Sequence, residues 1–446
     1  MTVTTRFAPS PTGNLHVGNI RTALHNWMWA RKNGGRFLLR LDDTDAERSR
    51  EEYVDAIRAD LGWLGLAFDG EERQSARFAL YEQRFDTLKA AGRVYPCYET
   101  AQELDLKRKV LLGRGLPPVY DRGALALSDE DKAAFEAEGR RPHWRFRLDH
   151  DSPISWVDLI RGEQHFDPRL ISDPVIRRED GSWLYMLPSA IDDIEMGVTH
   201  VVRGEDHVSN TATQIQMFTA MGARPPVFAH EALLIGTEGK LSKRLGSLGV
   251  AAFREQDIEP IALIALLARI GTSDPVEPVT EVEPLLQSFD FTRFGRAPAR
   301  FDEAELAALN QRIVHLLDFA TVKARLPENM GEDAWNAIRP NMEKVSQAAD
   351  WWAIITGPLD AVALELEDRA FAGLAADVLA TLSWSDDVWK DLTSRLKEQT
   401  GRKGKPLFLP LRLALTGRNH GPDMATLLPL IGRDSALARL RDAAGN

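Results

Sequence analysis

The chain has 446 residues, 44% of them apolar, and a formal charge of −11 at pH 7, and its length suffices for roughly two to four domains. No apolar stretch is long enough to cross a bilayer, and the polar N-terminal residues lack the pattern of a secretory signal, so we expect a cytoplasmic protein without a membrane partner. The acidic charge argues against non-specific affinity for nucleic acid, although it leaves room for a local basic surface.

The single cysteine, Cys97, excludes an intrachain disulfide. It also argues against a thiolate-rich metal site, because structural zinc takes four ligands and several of them are commonly cysteines. We therefore expect a buried, inert thiol at Cys97 and no zinc.

The first stretch of the chain reads RFAPSPTGNLHVGN between residues 6 and 19. Residues 3–8 are typical of a short strand, the prolines and glycine that follow force a loop, and a helix with one apolar face begins after His16. A helix N-terminus attracts phosphate, Gly18 would let a nucleotide approach the backbone, and His16 could donate to a phosphate oxygen. Alone, the pattern is more typical of an ordinary loop before an amphipathic helix.

The next apolar segment, RFLLRL at residues 36–41, is typical of a buried parallel strand and ends at Asp42. A helix follows, and the alternation of strand and helix predicts half of a doubly wound α/β fold. Ligands of such folds bind beyond the carboxyl ends of the strands, where Asp42 could meet a substrate ammonium group. The aspartates that follow fit helix capping instead.

The pattern of predicted helices and strands changes after about residue 95. Residues 97–109 are helical in pattern, residues 144–148 and 154–160 are strand-like, and the Asp180-Gly181 pair predicts a hairpin turn between residues 175–176 and 183–185. This pattern indicates an α+β insertion that splits the nucleotide-binding fold.

The fold resumes near Tyr185 and includes a strand at residues 200–203. Arg203 ends this strand and Glu205 follows it, before a helix from about residue 209. Charged groups together at a buried strand end favour a functional role for Arg203, with a surface salt-bridge cluster as the alternative. Farther on, the sequence KLSKR at residues 240–244 follows a strand-like segment and a glycine-containing turn, and alone it would be a solvated basic turn.

Taken together, HVGN and KLSKR resemble the HIGH and KMSKS signatures of class I aminoacyl-tRNA synthetases. The stretches PSPTGNLHVG, RLDDTD and VVRGEDH are similar to the glutamyl-tRNA synthetase family in particular, with Asp42 where that family usually has glutamate. The resemblance covers nearly the whole chain. It implies an α/β fold, with a Rossmann-type catalytic domain, an α+β insertion and a following all-α anticodon-binding region.

The resemblance also implies roles for individual residues. Catalysis is expected from His16, Lys240, Lys243 and Arg244. ATP is expected to contact His16, Gly18, Asn19, Glu205 and Lys243. Glutamate is expected to contact Arg6, Ser10, Asp42, Tyr185 and Arg203, and Arg203 would pair with its γ-carboxylate, which offers a guanidinium two acceptors and a charge where glutamine offers one acceptor.

The implied domains are a split catalytic domain at residues 1–95 and 185–247, a connective insertion at 96–184 for the tRNA acceptor end, a stem-contact region at 248–312 and a helical anticodon-binding region at 313–446. In the last region, tRNA contacts are predicted at Arg402, Lys403, Lys405 and Arg412. Its tryptophans are interpreted as bundle core rather than base-stacking platforms, namely Trp351, Trp352, Trp384 and Trp389.

No Ser-His-Asp or Cys-His arrangement is evident, so the expected chemistry is attack of a carboxylate on the α-phosphate of ATP, with Mg²⁺ accompanying the nucleotide. Glutamyl-adenylate would then react with tRNA(Glu); tRNA(Gln) stays open as a second substrate, whose product would pass to an amidotransferase. The family implies a monomer. The alternatives are a tRNA-modifying glutamyl transferase, which would end soon after KLSKR, a glutaminyl-tRNA synthetase, which would carry a β-barrel, and a silent tRNA-binding paralogue, which would be expected to lose His16 or Lys243.

Overall fold

The structure is a computed structural model that describes residues 2–236, 249–360 and 364–445. The chain divides into two compact units. The first comprises Met1–Arg254, Leu263–Glu277 and Glu281–Asp302, and the second comprises Glu255–Ala262, Pro278–Thr280 and Glu303–Asn446. Among the described residues, no helix combines the length and apolar character needed to span a bilayer.

The strands of the described chain all belong to the first unit. In chain order they are β1 (Thr4–Phe7), β2 (Arg36–Leu41), β3 (Glu71–Arg73), β4 (Val94–Cys97), β5 (His143–Phe146), β6 (Ile154–Asp158), β7 (Gly162–Phe166), β8 (Val175–Arg177), β9 (His200–Gly204), β10 (Val227–Glu231), β11 (Leu234–Gly236) and β12 (Ala299–Phe301). The helices before residue 300 are α1 (Val17–Lys32), α2 (Glu51–Trp63), α3 (Phe78–Ala90), α4 (Ala101–Gly113), α5 (Asp129–Ala137), α6 (Met186–Glu195), α7 (Val208–Ala220), α8 (Val250–Glu255), α9 (Pro260–Arg269) and α10 (Glu283–Ser288).

Parallel strands form the centre of the first unit. β1, β2 and β3 pair in that order, and β9 pairs with β10. The amide of Thr199, just before β9, donates to the carbonyl of Thr4 in β1 at 2.9 Å, so the two sheets continue side by side. The predicted strands at residues 36–41 and 200–203 are confirmed, and their carboxyl ends lie at one edge, as a doubly wound sheet requires.

Both central strands of the first sheet are buried along most of their length. All four residues of β1 are buried, and in β2 only Arg36 is exposed. Strands buried on both faces need apolar residues at successive positions rather than in alternation, which is why RFLLRL forms an inner parallel strand. Arg6 and Arg40 are exceptions to this apolar pattern, and both belong to the candidate site.

The inserted segment is antiparallel. β4, β5 and β8 form one sheet, and β6 and β7 form a hairpin. The predicted hairpin around Asp180-Gly181 is reduced to a single bridge between Arg177 and Trp183, so residues 183–185 form no strand. Cys97 at the end of β4 is a buried free thiol whose pKa burial raises to about 12, in keeping with an inert role.

The second unit is helical in its main segment. Its helices there are α11 (Glu303–Val314), α12 (Phe319–Val322), α13 (Glu332–Ile338), α14 (Ala348–Thr356), α15 (Leu366–Thr381), α16 (Val388–Thr400), α17 (Lys405–Thr416), α18 (Met424–Ile431) and α19 (Arg433–Ala444). The fully buried tryptophan of this bundle is Trp335, whose indole N–H donates to a carbonyl. The interpretation of four other tryptophans as core was wrong in degree, because each is only half-buried: Trp351, Trp352, Trp384 and Trp389.

A buried arginine holds two helix ends of this bundle. Arg439 in α19 donates from Nη1 to the carbonyl of Leu415 at 2.8 Å, in the last turn of α17. Its Nη2 donates to the carbonyls of Ile354 and Gly357 at 2.7 and 2.8 Å, at the end of α14. The carboxyl end of a helix carries unpaired carbonyls and partial negative charge, so the Arg439 cation satisfies both ends together.

We expect Arg439→Met to lower the local free energy of unfolding by about 2 kcal/mol, because the carbonyls at two helix ends lose a charged donor. Hydrogen exchange of the slowest amides of α14 and α17 would measure this loss. Arg441→Met, at an exposed position of the same helix, is the matched control and should change it by less than about 0.5 kcal/mol. Equal effects of the two substitutions would contradict the role of Arg439.

Candidate active site

His16 begins the first helix and has a fixed tautomer. Its Nδ1 accepts hydrogen bonds from the backbone amides of Gly18 and Asn19 at 3.1 and 3.4 Å, and the side chain of Asn19 accepts from the amide of His16 at 3.2 Å. Burial lowers the pKa of His16, which favours the neutral ring. A neutral ring that accepts at Nδ1 carries its proton on Nε2, so His16 offers one donor beyond the helix start.

Gly18 leaves room for this cap. A Cβ atom at position 18 would lie 3.0 Å from Cε1 of His16, closer than ordinary packing allows. The sequence suggested a glycine that admits a nucleotide to the backbone, and the structure adds that this glycine leaves room for the imidazole.

Arg203 is a buried cation with neutral partners. Its Nε donates to Nε2 of His230 at 3.3 Å, and its Nη2 donates to Oγ1 of Thr211 at 2.6 Å and Oε1 of Gln214 at 2.8 Å. It forms no ion pair with any residue in the described ranges, although it is only 9% exposed. A guanidinium has five N–H donors, so the two on Nη1 remain for a ligand.

The charge of Arg203 is electrostatically unfavourable in the free protein. Burial and the nearby charge of Arg6 lower the pKa of Arg203 to about 10, against the opposing effects of Tyr185, Asp193 and Asp206. Arg6 is buried as well, and its Nε donates to Asp193 at 3.1 Å. Arg6 is thus paired with a carboxylate, whereas Arg203 beside it is not and offers a site for an anion.

A second buried arginine, Arg40, binds the acidic residues next to this site. Arg40 in β2 is 1% exposed and donates to both carboxylate oxygens of Asp42, at 2.7 and 3.2 Å. It also donates to Asp193 at 2.7 Å and to the hydroxyl of Ser189 at 3.2 Å. Asp193 therefore bridges Arg6 and Arg40. Asp42, predicted to meet a substrate ammonium, is bound bidentately by Arg40 and keeps lone pairs for a further donor.

Asp192, next to Asp193 in α6, is fully buried and satisfied. It accepts hydrogen bonds from Gln74 at 2.9 Å, Arg77 at 2.7 Å and Tyr81 at 2.7 Å. These contacts tie α6 to α3 and to the segment before it. Asp192 and Asp193 thus hold the helix that carries Ser189 against the strand ends.

The remaining predicted glutamate contacts differ in burial. Tyr185 is half-buried, and its hydroxyl accepts from Nδ2 of Asn210 and lies 3.4 Å from Nδ1 of His207. Ser10 is exposed in the loop after β1. Glu205, predicted to contact ATP, accepts from Arg161 at 2.6 Å and from the amide of Leu233 at 3.1 Å, so its carboxylate joins the ends of β9 and β10 to the insertion.

Three predicted catalytic residues, Lys240, Lys243 and Arg244, lie outside the described residues. Across the ranges that are described, no group of three or more His, Cys, Asp or Glu side chains is arranged to hold a metal ion.

The predicted tRNA contacts of the helical unit separate into two kinds. Arg402 pairs with Asp368 at 2.6 Å and lies over the ring of Phe371, so it braces the bundle. Arg412 donates to the carbonyl of Pro422 at 2.9 Å and is half-buried. Lys403 and Lys405 are exposed and available to a partner.

Several site residues were not identified from the sequence. They are Arg40, Asp193, Thr211, Gln214 and His230. A signal was present for one of them, because two adjacent aspartates in the otherwise apolar run SAIDDIE are expensive to bury without partners.

Comparison with known proteins shows full-length similarity. Residues 2–308 match the family described as tRNA synthetases class I (E and Q), catalytic domain, and residues 306–444 match an anticodon binding domain. The chain is 70% identical to glutamate–tRNA ligase 1 of Rhizorhabdus wittichii, covering 99% of this chain and 100% of that protein. It is 67% identical to glutamate–tRNA ligase 2 of Sphingopyxis alaskensis, with both chains fully covered.

A solved structure is similar over the whole chain as well. The crystal structure of a glutamate tRNA ligase from Elizabethkingia meningosepticum in complex with its amino acid is 26% identical, with a TM-score of 0.86 and full coverage of both chains. The α/β fold with an anticodon-binding region, expected from the motifs, is confirmed.

Proposed function

Because the chain belongs to the glutamate–tRNA ligase family of class I aminoacyl-tRNA synthetases, we propose that it activates glutamate with ATP and transfers it to the 3′ end of tRNA(Glu). The observation that carries this proposal is Arg203, a buried cation whose described partners are all neutral. Such a cation is stabilised when a carboxylate binds it, and an amide in the same place supplies no charge.

In the proposed binding mode, the γ-carboxylate of glutamate meets Nη1 of Arg203. Arg6, Ser10 and Tyr185 contact the rest of the amino acid, and Asp42 accepts from its ammonium group. The burial of Arg203 supports an anionic substrate, because a bound carboxylate would supply the negative charge that its described hydrogen-bond partners lack. Burial raises the pKa of Asp42, and the hydrogen bonds from Arg40 oppose this rise and favour the charged carboxylate.

The α-carboxylate oxygen of glutamate would attack the α-phosphorus of ATP, and pyrophosphate would leave with its bonding electron pair. ATP enters as its Mg²⁺ complex, since Mg²⁺ is usually held through substrate phosphates. The Nε2 proton of His16 would bond the α-phosphate as its charge develops, with Gly18, Asn19 and Glu205 around the nucleotide. Lys240, Lys243 and Arg244 keep the charge-stabilising roles that the KLSKR resemblance implies.

In the second step a terminal ribose hydroxyl of tRNA would attack the glutamyl carbonyl, and AMP would leave. We propose that residues 1–95 and 185–247 carry this chemistry, 96–184 hold the acceptor end, 248–312 contact the stem and 313–446 read the anticodon. Among the basic residues of the last region, the exposed Lys403 and Lys405 are better suited to contact tRNA than Arg402 and Arg412, which bond within the bundle.

The test is charging of purified tRNA(Glu) and tRNA(Gln) side by side with glutamate, ATP and Mg²⁺, over matched tRNA concentrations. We expect tRNA(Glu) to be charged. Charging of tRNA(Gln) as well would mean a non-discriminating ligase whose product passes to an amidotransferase. Failure to charge either tRNA would overturn the proposal. Gel filtration of the same sample tests the monomer that we propose with it.

A further inference from the structure

An aspartate of the insertion reaches into the parallel sheet beside Arg203. Asp158 ends β6, and its Oδ2 lies 2.5 Å from Nδ1 of His230 in β10, while its Oδ1 accepts from the His230 amide at 3.1 Å. Both side chains are fully buried. His230 in turn lies opposite Arg203 in the register of β9 and β10. A continuous chain of hydrogen bonds therefore runs from the insertion to Arg203.

Chemistry fixes the protonation state of His230. Its Nε2 accepts from Nε of Arg203, and a guanidinium nitrogen can only donate, so Nε2 carries no proton. The single ring proton is on Nδ1 and donates to Asp158. Burial lowers the pKa of His230, and the charges of Arg203 and Arg161 lower it further against the opposing effect of Asp158, in agreement with a neutral ring.

The same series of hydrogen bonds fixes the plane of the Arg203 guanidinium. Nε of Arg203 is bound by His230, and the two protons of Nη2 are bound by Thr211 and Gln214. Thr211 accepts from Arg203, and its hydroxyl lies 2.8 Å from Nε2 of His230. Three of the five N–H donors of Arg203 are therefore bound within the protein. Because the guanidinium is planar, these three bonds fix the orientation of the two N–H groups on Nη1.

We propose that Asp158 and His230 are positioning residues that orient Arg203 for the γ-carboxylate, so that selection of glutamate over glutamine depends on the insertion. This inference rests on the proposed function. Without the carboxylate of Asp158, the His230 proton can move to Nε2 and would then oppose the N–H of Arg203. The guanidinium would lose its fixed plane, and with it part of its preference for a bidentate carboxylate.

The first variant is Asp158→Asn in the full chain, assayed with tRNA(Glu) present. We expect the KM for glutamate to rise about tenfold and discrimination against glutamine to fall by a similar factor, while the KM values for ATP and tRNA stay within about twofold. Glu163→Gln, at an exposed acid on the adjacent strand β7, is the matched control and should change none of these values. Equal increases in all three KM values, or no increase for glutamate, would overturn the inference.

A second pair of variants keeps the test decisive if Asp158→Asn folds poorly. His230→Gln can place a carbonyl acceptor where Nε2 stands, facing Arg203, whereas His230→Asn can place a donor where Nδ1 stands, facing Asp158. We expect the glutamine variant to keep a KM for glutamate within about threefold of the wild type and the asparagine variant to exceed about tenfold. The reverse order would mean that His230 serves only to satisfy Asp158.

The wild type in the same assay separates the two proposals. If it fails to charge tRNA(Glu), the proposed function is wrong; if it charges normally and the variants match it, only the positioning role is wrong.

Discussion

Replacement of Arg203 by alanine is expected to lower kcat/KM for glutamate by about a thousandfold, or ~4 kcal/mol. The reason is that Arg203 is a buried cation at the carboxyl end of a parallel strand with no carboxylate among its described hydrogen-bond partners, and the substrate would supply that carboxylate. Steady-state charging of tRNA(Glu) over a range of glutamate concentrations measures the effect.

Two controls define what Arg203 contributes. Arg203→Lys retains a charge but loses the planar pair of donors, and we expect it to remain about a hundredfold impaired. Arg224→Ala, at an exposed position in the same unit, should be within about twofold of the wild type. Activity of the alanine variant within about tenfold of the wild type would refute the role.

The second prediction concerns His16. We expect His16→Asn to lower kcat for ATP–pyrophosphate exchange, measured with tRNA bound, by roughly a hundredfold to a thousandfold. Asparagine is as good a helix cap as the histidine Nδ1, so it can accept from the amides of Gly18 and Asn19, but it has no donor at the position of Nε2.

His16→Ala separates capping from catalysis. This variant loses both functions of the imidazole, so it should show the same loss of kcat and should also be about 1 kcal/mol less stable than His16→Asn. If the asparagine variant exchanges pyrophosphate at the wild-type rate, the Nε2 proton has no part in the reaction and His16 is only a cap.

Local sequence patterns predicted the strands that carry the site but not most of the hydrogen bonds between its side chains. The strands at residues 36–41 and 200–203 were predictable because segments this short, with apolar or β-branched residues and with polar residues on either side, favour a strand over a helix. Their carboxyl ends then placed Asp42 and Arg203 at one edge. Arg40 and Asp42 are two residues apart and share one face of the strand, so their contact had a local signal that the sequence analysis did not use. The contacts of Arg40 with Ser189 and Asp193 had no such signal, because those partners come from a distant helix.

The distant partners explain the other omissions. Asp193 meets Arg6 across 187 residues of sequence, and Asp158 meets His230 across 72. Neither pair has a spacing that a helix or strand period would reveal. The burial of four tryptophans was overestimated for a related reason, because a tryptophan at helical spacing does not indicate how much of its ring the next helix covers. These are Trp351, Trp352, Trp384 and Trp389.

The neutral partners of Arg203 also bear on which mutations the gene can tolerate. Gln214 donates its amide proton to the carbonyl of Met186 and accepts from Arg203, and glutamine codons differ from glutamate codons by one nucleotide. Gln214→Glu would place a carboxylate beside Arg203 permanently. That carboxylate would compete with the substrate for the guanidinium. We expect selection to remove such alleles as strictly as those altering a catalytic residue, although position 214 touches no substrate.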